Sequence, residues 1–159
     1  MQHLSKVLIF ACFVTIMGCS GKQLPPDLPK LFPCKIIIQQ EGKPLADAQV
    51  FLSPVDGSKW NATGNTNTQG VTEPWTQGMY RGVAEGKFKV VVFKQEIINP
   101  PAETSSASGQ KTEEPKVYNL VEEIYSEATK TPLSIEVSSG QSEWTLDIGK
   151  AVRKLLPPR

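Results

Sequence analysis

Residues 86–94 read GKFKVVVFK and indicate the fold class of this chain. Phe88, Val90 and Val92 share one face at a period of two residues, as in a β-strand. The positions before, between and after them form the opposite face, namely Lys87, Lys89, Val91 and Phe93. β-Branched and aromatic residues dominate the run, which favours a buried strand with a partner on each side. The sequence therefore predicts an all-β fold in which other apolar runs pair with this strand.

Length and composition predict one domain with many turns. A chain of 159 residues is typical of a single domain. Its 13 prolines and 12 glycines indicate short elements separated by turns. A formal net charge of +1 gives no bulk attraction to nucleic acid, so we expect no nucleic-acid partner.

Four further segments alternate apolar and polar residues and are predicted as strands: residues 34–38, 48–52, 133–137 and 144–148. The first places Cys34 on the apolar face with Ile36 and Ile38, so we expect a buried, unreactive thiol. The last two are joined by SSGQS, residues 138–142, and this Gly-containing loop predicts a hairpin. Residues 120–128 carry apolar side chains at helical spacing, which leaves open a short helix or an extended loop.

The N-terminal residues have the pattern of an export signal. The apolar run 7–16 is far shorter than the ~20 residues that span a bilayer as a helix. The sequence IMGC that ends this region, residues 16–19, resembles the lipobox of bacterial lipoproteins. That resemblance implies a signal peptide of residues 1–18, cleavage between Gly18 and Cys19, and a membrane lipid attached to acylated Cys19. The alternative is an ordinary signal peptide that is cleaved elsewhere.

An acylated Cys19 would place the protein at the bacterial cell envelope, facing the periplasm or the cell surface. Anchoring by more than one acyl chain, as the resemblance implies, is stable. Ser20 follows the anchor in place of aspartate, and the common bacterial sorting preference then favours the outer membrane. Cleavage would also remove Lys6 and the one histidine, His3, so that the acidic and basic side chains of the mature chain would balance.

Composition divides the remainder of the chain into parts. Residues 19–33 are rich in proline and are predicted to form an extended tether. Residues 34–150 are the predicted β-sandwich domain. Inside that domain, residues 99–116 are dominated by Pro, Ser, Thr and Glu, which predicts a disordered insert. Residues 151–159 are predicted to be a basic, solvated tail.

Three short motifs stand out in the predicted domain: GKPLADAQVFL at residues 42–52, TNTQG at 66–70 and GKFKV at 86–90. They resemble motifs of the carboxypeptidase regulatory-like domains in the transthyretin-like superfamily. Asn67 stands where that family usually has an aspartate. The resemblance covers residues 34–148. It implies an antiparallel Greek-key β-sandwich of about seven strands, of the transthyretin-like or prealbumin-like type, with no active site of its own.

The mature chain is expected to lack catalytic chemistry. Without histidine it has neither a Ser-His-Asp nor a Cys-His arrangement, and it has no histidine-containing zinc site. The pairs Glu113/Glu114 and Glu122/Glu123 lie in polar segments and are expected to be solvated. We therefore predict no enzyme activity, no catalytic residue, no metal and no cofactor.

Two functions fit these features. The first is a lipid-anchored cell-envelope module with a non-enzymatic structural or interaction role and an envelope protein as partner. The second is an envelope glycan- or peptide-binding lipoprotein that presents aromatic side chains as a ligand platform. The candidate platform residues are Trp60, Trp75 and Tyr80. The alternative for these three side chains is that they cap the core.

Overall fold

The computed structural model describes residues 24–99 and 114–157. The predictions for the signal peptide, for Gly18, Cys19 and Ser20, for most of the insert and for the last two residues lie outside them. The described chain is all-β, as predicted, apart from a single 3-10 turn at Glu123–Tyr125 within a longer loop. In chain order its strands are β1 (Leu31–Phe32), β2 (Lys35–Gln40), β3 (Lys43–Pro44), β4 (Gln49–Pro54), β5 (Ala62–Asn65), β6 (Val71–Thr72), β7 (Trp75–Thr76), β8 (Tyr80–Arg81), β9 (Val83–Ala84), β10 (Gly86–Phe93), β11 (Gln95–Ile98), β12 (Lys116–Asn119), β13 (Ser134–Val137), β14 (Glu143–Asp147) and β15 (Lys154–Leu155).

Two larger sheets share one core, in the manner of a β-sandwich. The first has six strands in the order β13-β10-β4-β5-β7-β8. The second has the order β14-β2-β3, and β6 also pairs with β2. Alternate residues of both sheets are buried, so Ile36 and Ile38 of β2 belong to the same core as Val50 of β4 and Val90 of β10. Burial of these apolar side chains is the main source of stability.

Strand β10 has a partner on each edge, as residues 86–94 predict. It pairs antiparallel with β4 on one side and with β13 on the other. Phe88, Val90 and Val92 are buried, which confirms the predicted inner face. Val91 on the opposite face is buried as well. The middle of β10 is therefore shielded from water on both faces.

The predicted hairpin between residues 133–137 and 144–148 is wrong. Both runs form strands, but β13 pairs with β10 and β14 pairs with β2, so the two strands belong to different sheets. The turn between them contains one isolated antiparallel β-bridge, between Ser138 and Gln141, and connects one sheet of the sandwich to the other. β14 also runs parallel to β2, so the arrangement is not wholly antiparallel. A period of two residues identifies a strand but does not identify its partner.

The predicted tether lies on the domain wherever the structure describes it. Strand β1, Leu31–Phe32, pairs with β9, and both of its side chains pack against the core. Upstream of β1 the Asp27 carboxylate forms an ion pair with Lys59, and the hydrogen bond from Lys59 lowers the pKa of Asp27. Residues 24–33 therefore lie along the domain and do not separate it from an anchor.

A third sheet, of order β11-β12-β15, has no counterpart in the sequence predictions. Strand β12 begins at Lys116, so the last residue of the predicted insert is in a strand, whereas residues 100–113 lie outside the described residues. Strand β15 belongs to the predicted solvated tail. Next to it, Arg153 forms an ion pair with Glu96 at 2.9 Å and lies 3.7 Å from the centroid of the Tyr118 ring. The tail is thus paired with the domain rather than free in solvent.

Cys34 lies in the core, as predicted from its strand pattern. Its side chain is 4% exposed, and it is the free cysteine of the described chain. Burial raises the pKa of the thiol from 9.0 to about 12. The thiol therefore stays protonated near neutral pH and is a poor nucleophile there.

We expect Cys34 to make the stability of the protein fall at alkaline pH. A thiol pKa that is higher in the folded state favours folding below about pH 9, and this contribution is lost as the pH rises from about 9 to about 12. In that range the free energy of unfolding of the wild type should fall by about 1.4 kcal/mol per pH unit more than that of Cys34→Ala. Urea unfolding on both sides of pH 9 measures the difference. Parallel pH profiles for the two proteins would contradict a buried, protonated thiol.

Candidate functional site

The candidate site lies on the outer face of the six-stranded sheet, away from the core. Register partners in antiparallel strands share a face of the sheet. Val91 of β10 is paired with Phe51 of β4, and Phe51 is paired with Thr63 of β5. Thr63 is paired in turn with Trp75 of β7. These four residues form one row that crosses four strands.

A second row runs beside the first and contains Phe93, Gln49 and Asn65. The two rows lie two residues apart along the strands, so their side chains emerge on the same face. The two rows thus combine aromatic rings with amide and hydroxyl groups. We call the two rows together the outer-face patch: Val91, Phe51, Thr63, Trp75, Phe93, Gln49 and Asn65.

Exposure within the outer-face patch rises from its β10 edge to its β7 edge. Val91 is 2% exposed, Phe51 and Phe93 are half-buried, and Trp75 is 44% exposed. Strand β7, which carries Trp75, is held between β5 and β8. An indole ring on a strand that is paired on both sides is a rigid apolar surface with one polar N–H group. Such a ring can stack against a flat ligand without losing much conformational entropy.

A groove of about 520 Å³ lies beside Trp75. Its lining includes Gln49, Asn65 and Asn67. The Asn67 side-chain oxygen accepts hydrogen bonds from the backbone N–H groups of Gln69 at 2.9 Å and Val71 at 3.0 Å, so it holds the turn before β6. Gln49 and Asn65 are exposed, and each amide offers an acceptor oxygen and an NH₂ donor group. The groove therefore combines one aromatic stacking surface with hydrogen-bond donors and hydrogen-bond acceptors.

Glu73 adds a carboxylate to the lining of this groove. It forms an ion pair with Arg81 at 3.1 Å, and both side chains are exposed. Such an exposed pair is screened by water and contributes about 0–1 kcal/mol. A ligand can therefore displace this ion pair and form its own hydrogen bond with the Glu73 carboxylate. The chemistry that the groove supports is binding by stacking and hydrogen bonding.

The other two predicted platform residues lie apart from the outer-face patch. Trp60 is half-buried against the core, and the Lys59 ammonium group lies 4.7 Å from the centroid of its ring. Tyr80 is the register partner of buried Thr76 and lines a different groove. Trp60 therefore caps the core, whereas Trp75 is open to a ligand. The structure does not bring the three aromatic residues together as one platform.

Phe51, Phe93 and Gln49 were not among the candidate residues predicted from the sequence. A signal for them was present, because Phe51 stands between Val50 and Leu52 and so points away from the core. Phe93 likewise follows buried Val92 on β10. Large apolar side chains on the outward face of an interior strand indicate either a further layer or a contact surface.

The predicted cleavage and lipidation residues, Gly18 and Cys19, lie outside the described residues. Within residues 24–99 and 114–157, no group of three or more His, Cys, Asp or Glu is placed to hold a metal ion. Among the helices of that same part of the chain, none is long and apolar enough to cross a membrane. The chain matches no protein-family model, no curated protein and no solved structure, so its resemblance to carboxypeptidase regulatory-like domains stays a prediction.

Proposed function

We propose that this protein is a lipid-anchored module of the bacterial cell envelope with a non-enzymatic structural or interaction role. The observation that carries the proposal is the lipobox-like sequence of residues 16–19, which follows an apolar run of signal-peptide length. Acylated Cys19 would bind membrane lipid, and Ser20 favours the outer membrane. The exposed position of Leu24 supports the proposal, because an anchor segment can leave the domain there without disturbing the core.

The transthyretin-like, Greek-key description is part of the same proposal. It is supported by two sheets that share one core, one with the order β13-β10-β4-β5-β7-β8 and the other with the order β14-β2-β3. The TNTQG motif also has a structural role. The Thr66 hydroxyl donates to the Leu45 carbonyl at 2.7 Å and accepts from the Ala48 N–H at 2.8 Å. A domain of this kind would act through its surfaces.

The polar groups of the core favour a role without catalysis. Buried Thr76 donates its hydroxyl proton to the Gly82 carbonyl at 2.8 Å, and buried Thr131 donates to the Val90 carbonyl at 2.8 Å. Each hydroxyl thus satisfies a backbone group and stabilises a strand connection. Together with the protonated Cys34 thiol, these groups are used by the fold itself.

Replacing Cys19 with alanine should release the protein from membranes. The substitution removes the sulfur atom that would carry the diacylglycerol, and without acyl chains the remaining membrane affinity is weak. The measurements are membrane fractionation of cells and incorporation of labelled palmitate. Cys12→Ala is the matched control, because Cys12 lies in the apolar run of the signal and should not affect either result. A Cys19→Ala protein that still incorporates palmitate would contradict the proposed anchor.

A second candidate function is recognition of an envelope glycan or peptide. The observation that favours it is the position of Trp75 at the edge of the outer-face patch, beside the exposed amides of Gln49 and Asn65. Aromatic stacking suits the apolar C–H face of a sugar ring, and the amides can hydrogen-bond to the hydroxyl groups around that ring. A glycan is therefore favoured over a peptide.

Titration with soluble fragments of envelope glycans should quench the tryptophan fluorescence of the wild type. Titration calorimetry should show that Trp75→Ala weakens binding by about 2 kcal/mol, or roughly 30-fold, because it removes the stacking surface. Trp60→Phe is the control, since Trp60 packs on the core and should affect binding little. Equal affinity of the wild type and Trp75→Ala would contradict a site on the outer-face patch.

A further inference from the structure

A second groove lies at the N-terminal edge of the domain and has an apolar lining. Residues 24–31 enclose it on one side, and residues 79–81 of the β7–β8 region enclose it on the other, around a volume of about 900 Å³. Leu24 is 64% exposed and Met79 is 58% exposed. Exposed apolar side chains that lie together in one groove can mark an interaction surface. We call this feature the N-terminal groove.

The charged residues that line the N-terminal groove are both cationic, namely Lys30 and Arg81. The Lys30 ammonium group lies 5.0 Å from the centroid of the Phe32 ring, and its side chain is exposed. Arg81 also forms an exposed ion pair with Glu73 at 3.1 Å. Apolar side chains flanked by cations are the composition that binds at a lipid headgroup boundary.

The position of the N-terminal groove along the chain relates it to the proposed anchor. Leu24 follows Cys19 by five positions. A fully extended chain advances at most ~3.3–3.6 Å per residue, so a lipid on Cys19 would keep Leu24 within about 18 Å of the bilayer. Because β1 is paired with β9, residues 24–33 do not lengthen this distance. A lipid on Cys19 would thus keep the Leu24 end of the N-terminal groove close to the membrane surface.

We propose that the N-terminal groove docks on the lipid bilayer, with Leu24 and Met79 at the acyl boundary and Lys30 and Arg81 at the lipid phosphates. This inference rests on the proposed lipid anchor and specifies how the anchored domain is oriented. The bilayer is the occupant because the anchor length brings it to the groove and because its phosphates complement the two cations. Docking would point β11, at the other end of β10, away from the membrane.

The test uses the lipidated full-length protein in vesicles of phosphatidylethanolamine and phosphatidylglycerol with brominated acyl chains. A bimane fluorophore is attached to Met79→Cys in one protein and to Ile97→Cys in another. Ile97 is the matched control, because it is 60% exposed but lies beyond the far end of β10. Buried Cys34 should remain unlabelled in the folded protein.

We expect bromine to reduce the emission of the label at position 79 by about twofold or more, since a docked apolar face lies ~5–10 Å into the headgroup boundary. The label at position 97 should be unaffected. Lys30→Glu should reduce the quenching at position 79, whereas Lys116→Glu, on β12 beside β11, should not change it. Both charge variants should still float with the vesicles, because the acyl chains hold them there.

The outcomes separate this inference from the proposed anchor. If the protein floats with vesicles but position 79 is quenched no more than position 97, the docking inference is overturned and the anchor stands. The N-terminal groove would then be free for a protein partner. If the protein with intact Cys19 does not float at all, the proposed anchor fails, and docking fails with it.

Discussion

Replacing Val90 with aspartate should leave most of the protein unfolded at 25 °C. Val90 is fully buried and lies in β10, which is paired with β4 and β13. Its register partner Leu52 is fully buried as well, so no water can reach a carboxylate at this position. Burial of an unpaired charge costs several kcal/mol, against a total stability of ~5–15 kcal/mol for a domain of this size.

Ile97→Asp is the control for this prediction, because it also replaces a β-branched residue with aspartate. Ile97 lies on β11 and is 60% exposed, so its carboxylate would stay hydrated and should cost less than about 1 kcal/mol. Urea unfolding followed by circular dichroism compares the two variants. Similar losses of stability in both would mean that β10 is not in the core of the fold.

Replacing Gly70 with alanine should destabilise the protein by about 2–5 kcal/mol. Gly70 has a φ of +73°, which is strained for any residue with a side chain. A Cβ atom there would come within 2.5 Å of the Ile38 carbonyl oxygen and 3.0 Å of the Leu45 nitrogen. Both atoms belong to the backbone. The Gly70 carbonyl also accepts a hydrogen bond from the Ile38 N–H at 2.8 Å, so any shift of the loop disturbs β2.

Gly42→Ala separates the two causes of this loss. Gly42 has almost the same φ, +72°, but no atom lies within 4 Å of where its Cβ would stand. Its substitution should cost only the conformational strain, about 1–2 kcal/mol. The difference between the two variants in chemical denaturation then measures the steric term at Gly70. Equal losses would show that the close approach to β2 contributes nothing.

Residues 34–38, 48–52 and 86–94 were correctly predicted because each has one face in the core. Period-two patterning reports burial directly, so the inner faces of β2, β4 and β10 follow from the sequence. The same reasoning placed Cys34 in the core. Each of these predictions concerns one strand at a time and states which of its faces is buried and which is exposed to solvent.

Strand partners could not be predicted in the same way. The runs at 133–137 and 144–148 are close in sequence, which favours a hairpin, yet they pair with β10 and β2. The choice depends on contacts with residues far along the chain, and local pattern carries no information about those. The tail was predicted as solvated for a related reason. Strand β15 has two residues and exposed side chains, and it is stabilised by its pairing with β12.

The candidate site was predicted only in part. Trp75 was identified from its residue type, and the structure places it at the open edge of the outer-face patch. Its neighbours Phe51 and Thr63 become neighbours only through the register of β4, β5 and β7. Trp60 has the same residue type as Trp75 but packs against the core. Residue type alone therefore could not separate an exposed tryptophan from one that caps the core.

The parallel pairing of β2 with β14 also determines when the chain can finish folding. Lys35 and Glu143 are register partners, form an ion pair at 3.0 Å and stand 108 residues apart. Contacts between such distant residues form late in folding. Closing the long loop between them costs conformational entropy, and this cost precedes the stabilisation that the contacts provide. A chain that emerges from a ribosome with its N-terminus first cannot complete the smaller sheet until Asp147 has emerged. Until β14 is available, β2 lacks its partner on one edge and the smaller sheet stays incomplete.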